Sequence, residues 1–469
     1  MLRPTVLTLL ATVLLSGALI PQQQGEQRGT PEQRLFDWTD LQFEVEEYSK
    51  RRDGLMIWLA SSGGGLFLTP SGDGVSSGET FRPLDDFLYL TGLELPNSIL
   101  AIDVDRERSI LFAPRRDLRF SNASRPNDFP GRPLADDPEL VRRSGISDVR
   151  PFEEFSSFIE EAVASAQLLR INLGRSGGLG PVQPEPIHSW SADEGLQAYL
   201  QAELPAASVS NAFEDVARLR MIKSPAEIAA IRQAAAVTMA GIRAAARHVR
   251  DGVDERTLEA ELEAEFKRRG AQRLAFGSII KSGPNSLWPW RVLASHYDRR
   301  NRRMYDGELV IFDVGAELDY YASDVGRTFP VSGRFSAEQR EILQMEVAVA
   351  DAIIAAVQPG ITLRELQQIG NAAIPVNQRE YMQTGLFFGH HIGLSTGDPS
   401  LPETPLEPGM VFTVEPWYYN HVTGIAVFTE DDILVTETGS ENLTRALPRT
   451  TEGLERLMRG RYQRRTGTR

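Results

Sequence analysis

Two aspartates, Asp313 and Asp324, stand eleven residues apart in a stretch that could hold a metal ion. Asp313 lies within an apolar run, residues 309–314, which predicts a buried strand. Because side chains alternate along a strand, Asp313 shares the core-facing side with Leu309 and Ile311. A buried carboxylate is costly unless something neutralises it. The stretch therefore predicts a metal cradle, although two solvated aspartates would explain this stretch alone equally well.

Three further motifs supply residues of metal-binding type. A glycine-flanked histidine pair, His390 and His391, occurs in GHHIGL. Glu415 ends the strand pattern MVFTVEP, and Glu430 leads into the strand pattern of FTEDDILV. A loop histidine together with an inward acid on each of several strands is stronger evidence for a metal site than any one of these residues alone.

This set of residue types suits a pair of divalent cations. Two such ions about 3.5–4 Å apart can share bridging carboxylates and a bridging water, which becomes a hydroxide nucleophile near neutral pH. Four carboxylates balance the formal charge of the two ions, so that the site can be buried. Carboxylate-dominated ligation favours harder ions such as manganese, and zinc, cobalt or iron are the alternatives.

Composition limits the class of protein. The chain has 469 residues, enough for two or three domains, and its 41% hydrophobic and 24% charged residues are typical of globular proteins. The net charge of −14 argues against a nucleic-acid partner. The absence of cysteine excludes thiol catalysis, disulfides and cysteine-bound zinc.

The N-terminus has the pattern of a secretory signal peptide. Arg3 provides a positive start, residues 5–15 form a short apolar run, and small residues follow at 16–18. The run is short for a membrane span, so we expect residues 1–20 to be cleaved and no stable membrane insertion afterwards, with an uncleaved anchor as the alternative. We therefore expect an exported protein, periplasmic or secreted. Residues 21–33 are rich in Gln, Gly and Pro and are interpreted as a linker.

The remaining chain divides into two domains and a tail. Strand-like and helical segments alternate over residues 34–205, which predicts an α/β domain. Its predicted strands are residues 55–59, 99–104 and 109–113, and the aromatic-rich block 81–100 is predicted to be core. A second domain is predicted over residues 206–455, starting with helices over 225–250 and 255–269. Residues 456–469 form an Arg-rich tail with little to bury.

These motifs together resemble the pita-bread metallopeptidases, the family that includes methionine aminopeptidase, aminopeptidase P and prolidase. The two-aspartate segment, GHHIGL, LEPGMVFTVEP and TEDDILVT are similar to its ligand segments, and KSGPN followed by Ser295-His296-Tyr297 resembles its substrate-side histidine segment. FRPLDDFLYLTGLELPNSILAI and LFAPRRD look like the N-terminal domain of aminopeptidase P, which methionine aminopeptidases lack.

The resemblance implies a fold and a role for each matched residue. The fold would be α/β (α+β), an N-terminal α/β domain followed by a pita-bread catalytic domain. Asp313 would bind one metal, Asp324 and Glu430 would bridge both, and His390 and Glu415 would complete the site. A catalytic role would fall to His390 and to His296, which would contact the substrate or stabilise the tetrahedral intermediate. His391 is expected to pack behind the ligand; His188 and His248 match no motif and are interpreted as structural or surface residues.

The surroundings of the expected ligands depart from the family pattern. Where the family usually has a second active-site histidine, a threonine, an arginine and a glycine, this chain has Gly397, Gly326, Phe428 and Trp417. Asp398 and His421 are the neighbours that could compensate for Gly397. The expected set of ligands is complete, whereas its environment is altered.

The sequence thus predicts a dinuclear metal-dependent Xaa-Pro aminopeptidase, whose substrates are peptides with proline in second position. Prolidase, which acts on Xaa-Pro dipeptides, is the nearest alternative. A peptide- or metal-binding homologue with impaired catalysis is a second alternative, and a metal-free creatinase-like hydrolase is disfavoured because it would not require all five ligands. The oligomeric state is left open, a homodimer included.

Overall fold

The computed structural model describes residues 41–73, 81–115, 134–175, 191–287, 301–382 and 388–459. Its helices are α1 (Val45–Ser61), α2 (Asp85–Thr91), α3 (Pro138–Ser144), α4 (Phe155–Ala164), α5 (Ala192–Glu203), α6 (Phe213–Met221), α7 (Pro225–Ala246), α8 (Glu255–Arg268), α9 (Ala337–Ala356), α10 (Leu363–Ala373) and α11 (Thr451–Met458). The strands of the N-terminal half are β1 (Leu66–Pro70), β2 (Ile99–Asp103), β3 (Arg108–Ala113), β4 (Asp148–Pro151), β5 (Leu169–Ile171) and β6 (Val209–Asn211). Those of the C-terminal half are β7 (Arg273–Leu274), β8 (Ile279–Ser282), β9 (Leu309–Val314), β10 (Ala316–Leu318), β11 (Tyr321–Ala322), β12 (Val325–Pro330), β13 (Val411–Val414), β14 (Trp417–Asn420), β15 (Ile425–Phe428), β16 (Asp431–Thr436) and β17 (Gly439–Asn442).

The N-terminal half is built on one mixed sheet. The described strands follow the order β4-β3-β2-β1-β5-β6, with antiparallel pairing at β1-β2-β3 and parallel pairing at both ends. The predicted strands at 99–104 and 109–113 correspond to β2 and β3. The edge strand β6 belongs to this sheet, which therefore extends past residue 205, where the sequence placed the domain boundary.

The strand predicted at residues 55–59 is wrong, because these residues lie in α1. Leu55 and Leu59 are four residues apart and fully buried, whereas Ile57 between them is 70% exposed. This spacing is that of one helix face, which a five-residue apolar run does not distinguish from a strand. The aromatic-rich block 81–100 is core as predicted, and α2 within it is buried from Asp86 onward.

The C-terminal half surrounds small antiparallel sheets with long helices. The described sheets follow the orders β12-β9-β8, β13-β16-β17, β11-β10-β7 and β14-β15. Ser224 and Glu227 form the predicted capping box of α7, and α8 is followed by Gly270 at φ 94°, a left-handed conformation suited to glycine after a helix. Apolar faces of α7 to α10 and of β9, β12, β13 and β16 share one core.

A second core joins the two halves of the chain. Leu55 and Phe87 of the N-terminal half belong to the same buried cluster as Ile231, Ile392 and Val411 of the C-terminal half. The two halves therefore exclude water from each other over an apolar contact as well as through polar bonds.

The C-terminal end of the described chain is helical. Helix α11 continues to Met458, so that the first residues of the expected basic tail are ordered, and Leu457 and Met458 pack against the main core. Residues 1–40, with the expected signal peptide and linker, and residues 460–469 lie outside the described part of the chain. Of the helices in the described ranges, none has both the length and the apolarity that crossing a bilayer requires.

Candidate metal centre

The five residues expected to bind metal lie at strand ends and in one loop of the C-terminal half. Asp313 lies on β9, Asp324 just before β12, Glu415 just after β13 and Glu430 between β15 and β16, whereas His390 lies in the loop that precedes β13. Asp313, Asp324 and Glu430 are at most 4% exposed. The strands that carry these residues are buried on both faces, so the acids point into protein rather than into water.

Backbone pairing brings Asp324 and Glu430 together. Gly326 and Glu430 exchange backbone hydrogen bonds of 3.3 and 3.1 Å. The Asp324 amide donates to Asp432 Oδ1 at 3.2 Å, and the neighbouring Ser323 hydroxyl donates to Asp432 Oδ2 at 2.8 Å. Asp324 and Glu430 are therefore diagonal neighbours across an antiparallel pair, a separation that side chains can span.

Strand β12 places Asp313 close to Asp324 and Glu430. In the antiparallel register of β9 and β12, Asp313 stands opposite Gly326, which is itself bridged to Glu430. The negative charge of Asp313 acts on Glu430 and helps to raise the pKa of that carboxyl group. The strand pairing thus supports the placement of Asp313 beside the other acids that the sequence predicted.

His390 faces the acids through one ring nitrogen. Its Nε2 lies 3.6 Å from Asp324 Oδ2 and 3.5 Å from Glu415 Oε1. Its Nδ1 lies 3.2 Å from the backbone carbonyl of His391, to which it can donate. A proton on Nδ1 leaves the lone pair of Nε2 directed at the carboxylates, which is the tautomer that a metal ligand needs.

Thr413 and Gly389 fix the loop that carries His390. The Thr413 amide donates to the His390 carbonyl at 2.8 Å, and the Thr413 hydroxyl donates to Glu415 Oε1 at 3.2 Å. A Cβ on Gly389 would lie 1.7 Å from the Thr413 carbonyl oxygen, so only glycine fits before the ligand histidine. The glycine flank noted in the sequence therefore has a steric reason.

The crowding of carboxyl groups shifts their protonation. Burial raises the pKa of Glu430 well above its usual value, and the charges of Asp324, Glu415 and Asp313 add to this effect. Burial, opposed by His390 and reinforced by Asp324, raises the pKa of Glu415 to about 7. Burial lowers the pKa of His390, but its bond to Asp324 and the charge of Glu415 outweigh this and raise it to about 10. Cations at this site would relieve the repulsion that protons relieve in their absence.

Unpartnered carboxylate oxygens indicate that the site fits metal ions. Both carboxylate oxygens of Glu430 and Oδ1 of Asp324 are buried without a hydrogen-bond partner among the described residues. Ligand atoms of Asp324, His390 and Glu430 all lie within 4.8 Å of one another. Buried carboxylate oxygens normally have donors or bind a cation, so this donor set suits a hard or borderline divalent ion.

Sequence reasoning missed two residues that support the acids. Asp432, whose pKa is raised to about 8 first by burial and then by Asp324, accepts the bonds from Ser323 and Asp324 described above. Arg327 is fully buried and directs its five N–H donors at the carbonyls of Gly326, Glu430, Leu447 and Pro448 and at the Asp431 carboxylate. A charged residue within each buried strand pattern was the available signal.

Two of the departures from the family pattern compensate each other sterically. The ring of Phe428 is fully buried against Gly326. A Cβ on Gly326 would lie 2.4 Å from that ring and 2.9 Å from the Cβ of Glu430. The large apolar side chain at 428 therefore requires glycine at 326. Trp417 stacks edge-on against Tyr419 and joins the same small apolar cluster as Phe428.

Among the described residues, no side chain fills the position of the missing histidine. Gly397 is exposed, and a Cβ added to it would meet no atom within 4 Å. Asp398 is tied by Arg220 and Lys223, and His421 lies at the exposed turn between β14 and β15, at the end of the hairpin away from Trp417. Neither neighbour is placed to act in its stead.

The other histidines have different surroundings. His391 is fully buried and packs against Phe412, as expected for a residue behind the ligand. Burial, together with the charges of Lys223 and His390, lowers the pKa of His391 well below its usual value. His248 lies 3.8 Å from Glu261, away from the acids. His296 and His188 lie outside the described residues.

The fold and the site define a two-domain α/β protein with a carboxylate-rich candidate metal centre, and comparisons with known proteins specify the family. Residues 229–437 match metallopeptidase family M24, and residues 48–170 match the N-terminal domain of aminopeptidase P. Together these matches span strands β1 to β4 of the N-terminal sheet and the strands of the centre. The chain belongs to metallopeptidase family M24, with the domain organisation of the aminopeptidase P branch.

Individual relatives agree with this family. The Xaa-Pro aminopeptidase of Escherichia coli (strain K12) is 29% identical over 450 residues, covering 88% of this chain and 97% of the relative. The mitochondrial intermediate cleaving peptidase 55 of Arabidopsis thaliana is 29% identical, covering 81% of this chain and 75% of the relative. The Xaa-Pro dipeptidase of Pyrococcus horikoshii is 35% identical over 50% of this chain and 65% of the relative. The structure of Escherichia coli aminopeptidase P with the inhibitor Pro-Leu superposes with a TM-score of 0.71 at 25% identity, covering 89% of this chain and 98% of that chain.

Proposed function

We propose that this protein is a dinuclear metal-dependent aminopeptidase that releases the N-terminal residue from peptides with proline in second position. The observation that carries the proposal is the pair of buried acids Asp324 and Glu430 beside His390, in which Asp324 Oδ1 and both Glu430 carboxylate oxygens have no hydrogen-bond partner among the described residues. The N-terminal domain supports the aminopeptidase P assignment, and relatives named Xaa-Pro aminopeptidase that align along most of this chain support the substrate class.

Five residues of the centre are proposed to bind two cations. Asp313, Asp324, His390, Glu415 and Glu430 would hold the two ions. Thr413 orients the Glu415 carboxylate through its hydroxyl, and the His391 carbonyl holds the ligand tautomer of His390. When bound, two divalent ions supply Lewis-acid activation of water and of the scissile carbonyl, with manganese the proposed metal.

Substrate length separates the proposed activity from that of a prolidase. Purified, manganese-loaded protein is incubated with Xaa-Pro dipeptides, with longer Xaa-Pro-Yaa peptides and with Xaa-Ala-Yaa controls, and released amino acids are quantified. We expect release from the longer Xaa-Pro peptides. Release from dipeptides alone would indicate a prolidase, an alternative to which the Pyrococcus horikoshii relative points. The Glu415→Gln variant controls for contaminating peptidases.

A second candidate function is peptide or metal binding with impaired catalysis. The open, exposed position of Gly397 favours it, because no side chain there can donate or accept a proton. This candidate predicts that a Xaa-Pro peptide binds the metal-loaded protein without release of its first residue. Isothermal titration and the cleavage assay on the same peptide separate binding from turnover, and metal-dependent release would exclude the binding-only function.

We also propose that the protein is exported, periplasmic or secreted. The positive start at Arg3, the apolar run over residues 5–15 and the small residues that follow support this location. Cell fractionation and N-terminal sequencing of the mature protein test it, and an intact residue 1 in a cytoplasmic fraction would contradict it. A homodimer remains a proposal for light scattering to test.

A further inference from the structure

An ion-pair network connects the N-terminal domain to the loop that follows His390, residues 391–398. Arg220 donates to Asp85, Asp86 and Asp398 at 3.1, 2.8 and 2.5 Å. Asp85 and Asp86 begin helix α2 of the N-terminal domain, whereas Asp398 ends the loop. The Arg220 side chain is 3% exposed, so these bonds lie in protein rather than in water.

A second arginine makes a parallel connection through the same aspartate. Arg82 donates to Asp85 at 2.6 Å and to the backbone carbonyl of Leu394 at 2.6 Å, and it also bonds to Glu317 at 3.2 Å. Asp85 therefore lies between Arg82 and Arg220. Arg82 bonds to Leu394 within the loop, and Arg220 bonds to Asp398 at the end of the loop. The two bonds to the loop differ in kind, one to a backbone carbonyl and one to a carboxylate.

The end of the loop bears directly on His390. The Asp398 amide donates to the His391 carbonyl at 3.1 Å, and this same carbonyl faces Nδ1 of His390 at 3.2 Å. The carbonyl that sets the tautomer of the proposed ligand is thus held by Asp398. A shift of Asp398 would move the acceptor that orients the imidazole ring.

The beginning of the loop bears on the other side of the centre. The Ala322 amide donates to the Gly393 carbonyl at 2.8 Å, two residues before Asp324. A Cβ on Gly393 would lie 2.5 Å from Asp398 Oδ2, so the loop closes on itself without spare room. The segments of both His390 and Asp324 are therefore attached to one compact loop.

The charges of the network balance, which makes it sensitive to the loss of one member. Four cations, Arg82, Arg220, Lys223 and Arg273, face four carboxylates, Asp85, Asp86, Glu317 and Asp398. Burial raises the pKa of Asp85, but Arg220 and Arg82 outweigh it and hold that pKa at about 2, so the carboxylate is charged at neutral pH. Removing the charge of Asp85 leaves Arg220 with Asp86 and Asp398, and Arg82 with Glu317, so each arginine is expected to shift toward its remaining partners.

We propose that Asp85 is a positioning residue for the metal centre, acting through Arg82 and Arg220 on the loop that follows His390. The N-terminal domain then contributes to metal affinity. The inference rests on the proposed metal centre and is independent of the proposed peptide substrate.

Metal affinity of Asp85→Asn tests the role of Asp85. The full-length protein is stripped with chelator and titrated with Co²⁺ or Mn²⁺ by calorimetry, and the Co²⁺ absorption spectrum reports ligand geometry. We expect the affinity for at least one ion to fall about 10-fold or more, the range typical of residues that orient metal ligands, with an altered Co²⁺ spectrum. Asp85→Glu, which keeps the charge, should recover part of the affinity.

Asp148→Asn is the matched control. Asp148 is a carboxylate of the same domain that pairs with Arg150 at 2.7 Å, but on β4, the outer edge of the sheet. Its metal affinity should equal that of the wild type. Equal affinities and spectra for Asp85→Asn, Asp148→Asn and the wild type would overturn the inference.

Thermal unfolding with and without metal separates positioning from simple stabilisation. If Asp85 only stabilised the fold, Asp85→Asn would lower the Tm of the metal-free and metal-loaded forms equally. If Asp85 positions the ligands, the increase of Tm on metal addition becomes smaller in the variant. If the wild type cleaves no peptide, only the proposed function is contradicted, because metal affinity, the Co²⁺ spectrum and Tm are measured without a substrate.

Discussion

Glu430 and Asp324 are held at the centre by backbone bonds that do not involve their own side chains. Glu430 exchanges two backbone bonds with Gly326, and the Asp324 amide bonds to Asp432. Both carboxylates can therefore be removed without breaking the strand pairing. Oδ1 of Asp324 and both carboxylate oxygens of Glu430 have no partner among the described residues, so a role in binding can be separated from a role in the fold.

Substituting Asp324 or Glu430 by alanine should abolish activity and release at least one metal ion, with the fold retained. The physical reason is that each substitution removes one of the carboxylates proposed to hold the ions, and with it negative charge that would offset the repulsion between them. Metal content by elemental analysis and circular dichroism of each purified variant measure the two effects. Wild-type metal content in both variants would contradict the assignment.

The metal-free protein should lose stability as pH rises from about 4.5 through 8. The pKa values of Glu415 and Asp432 are raised, to about 7 and about 8, mainly by burial, whereas the unfolded acids titrate near 4. The folded state then holds protons that the unfolded state has released, so the free energy of unfolding declines with pH in this window. Metal ions replace those protons and should flatten the dependence.

Thermal denaturation in chelator between pH 5 and pH 8.5 measures this dependence. Glu415→Gln cannot titrate, so its Tm should decline less steeply with pH than that of the wild type. Identical slopes for the two proteins would show that Glu415 does not hold a proton in the folded, metal-free state.

Gly397→His should increase turnover of Xaa-Pro peptides. The position is exposed and open, so a histidine fits without displacing a neighbour, and a positioned acid–base group contributes roughly 10²–10⁴-fold. We expect wild-type kcat to lie below the typical enzyme range of about 1–10³ s⁻¹ or the preferred substrate to differ. Steady-state kcat and KM on one peptide series, with His421→Ala as the control of unchanged activity, measure the effect. A wild type with ordinary rates would show that no catalytic gap exists.

At the scale of elements, the approach of β12 to the segment that links β15 and β16 decides the geometry of the centre. The Thr328 hydroxyl accepts from the Phe428 amide at 2.8 Å and donates to the Phe428 carbonyl at 2.9 Å. Phe428 then fills the space above Gly326, next to the bridge to Glu430. Gly326 and Phe428, which pack together at this junction, are two of the residues at which the sequence departs from the family pattern.

Gly326→Thr and Phe428→Ala should couple strongly in a double-mutant cycle. Gly326→Thr forces a Cβ into the Phe428 ring and the Glu430 Cβ, which destabilises by roughly 1–3 kcal/mol or more. Phe428→Ala leaves a cavity that costs about 3–5 kcal/mol. The double variant should lose less unfolding free energy than the two single variants lose together, because the threonine occupies part of the cavity. Urea denaturation of the four proteins measures the coupling. Strictly additive changes in unfolding free energy would contradict the steric dependence of position 326 on Phe428.

At the scale of the whole molecule, the apolar cluster shared by the two halves predicts joint unfolding. Leu55 and Phe87 pack in one cluster with Ile231, Ile392 and Val411, and Arg51 of α1 lies 3.6 Å from Glu227 of α7. Separation of the halves would expose this cluster to water, which is unfavourable in proportion to its area. Calorimetry of the full-length protein should therefore show one main transition. Leu55→Ala should lower the temperature of that transition, and two well-separated transitions would refute the shared core.

The sequence by itself determined the residue types of the candidate site and the strands beside which they lie. The apolar run around Asp313, the strand before Glu415 and the glycine next to His390 reflect local rules of burial and backbone conformation, which a single stretch of residues displays. The capping box of α7 and the glycine after α8 are local in the same way. These features could be predicted because neighbours in the chain suffice to form them.

Only the tertiary structure decided which residues meet. The bonds of Arg327 to carbonyls more than a hundred residues away, the interlock of Gly326 with Phe428 and the link from Asp85 to Asp398 join distant parts of the chain. The helix at residues 55–59 was missed for the same reason, because its burial against a second element selects the period of its apolar residues. Contacts of this kind depend on packing and on loop closure, which no short stretch of sequence encodes.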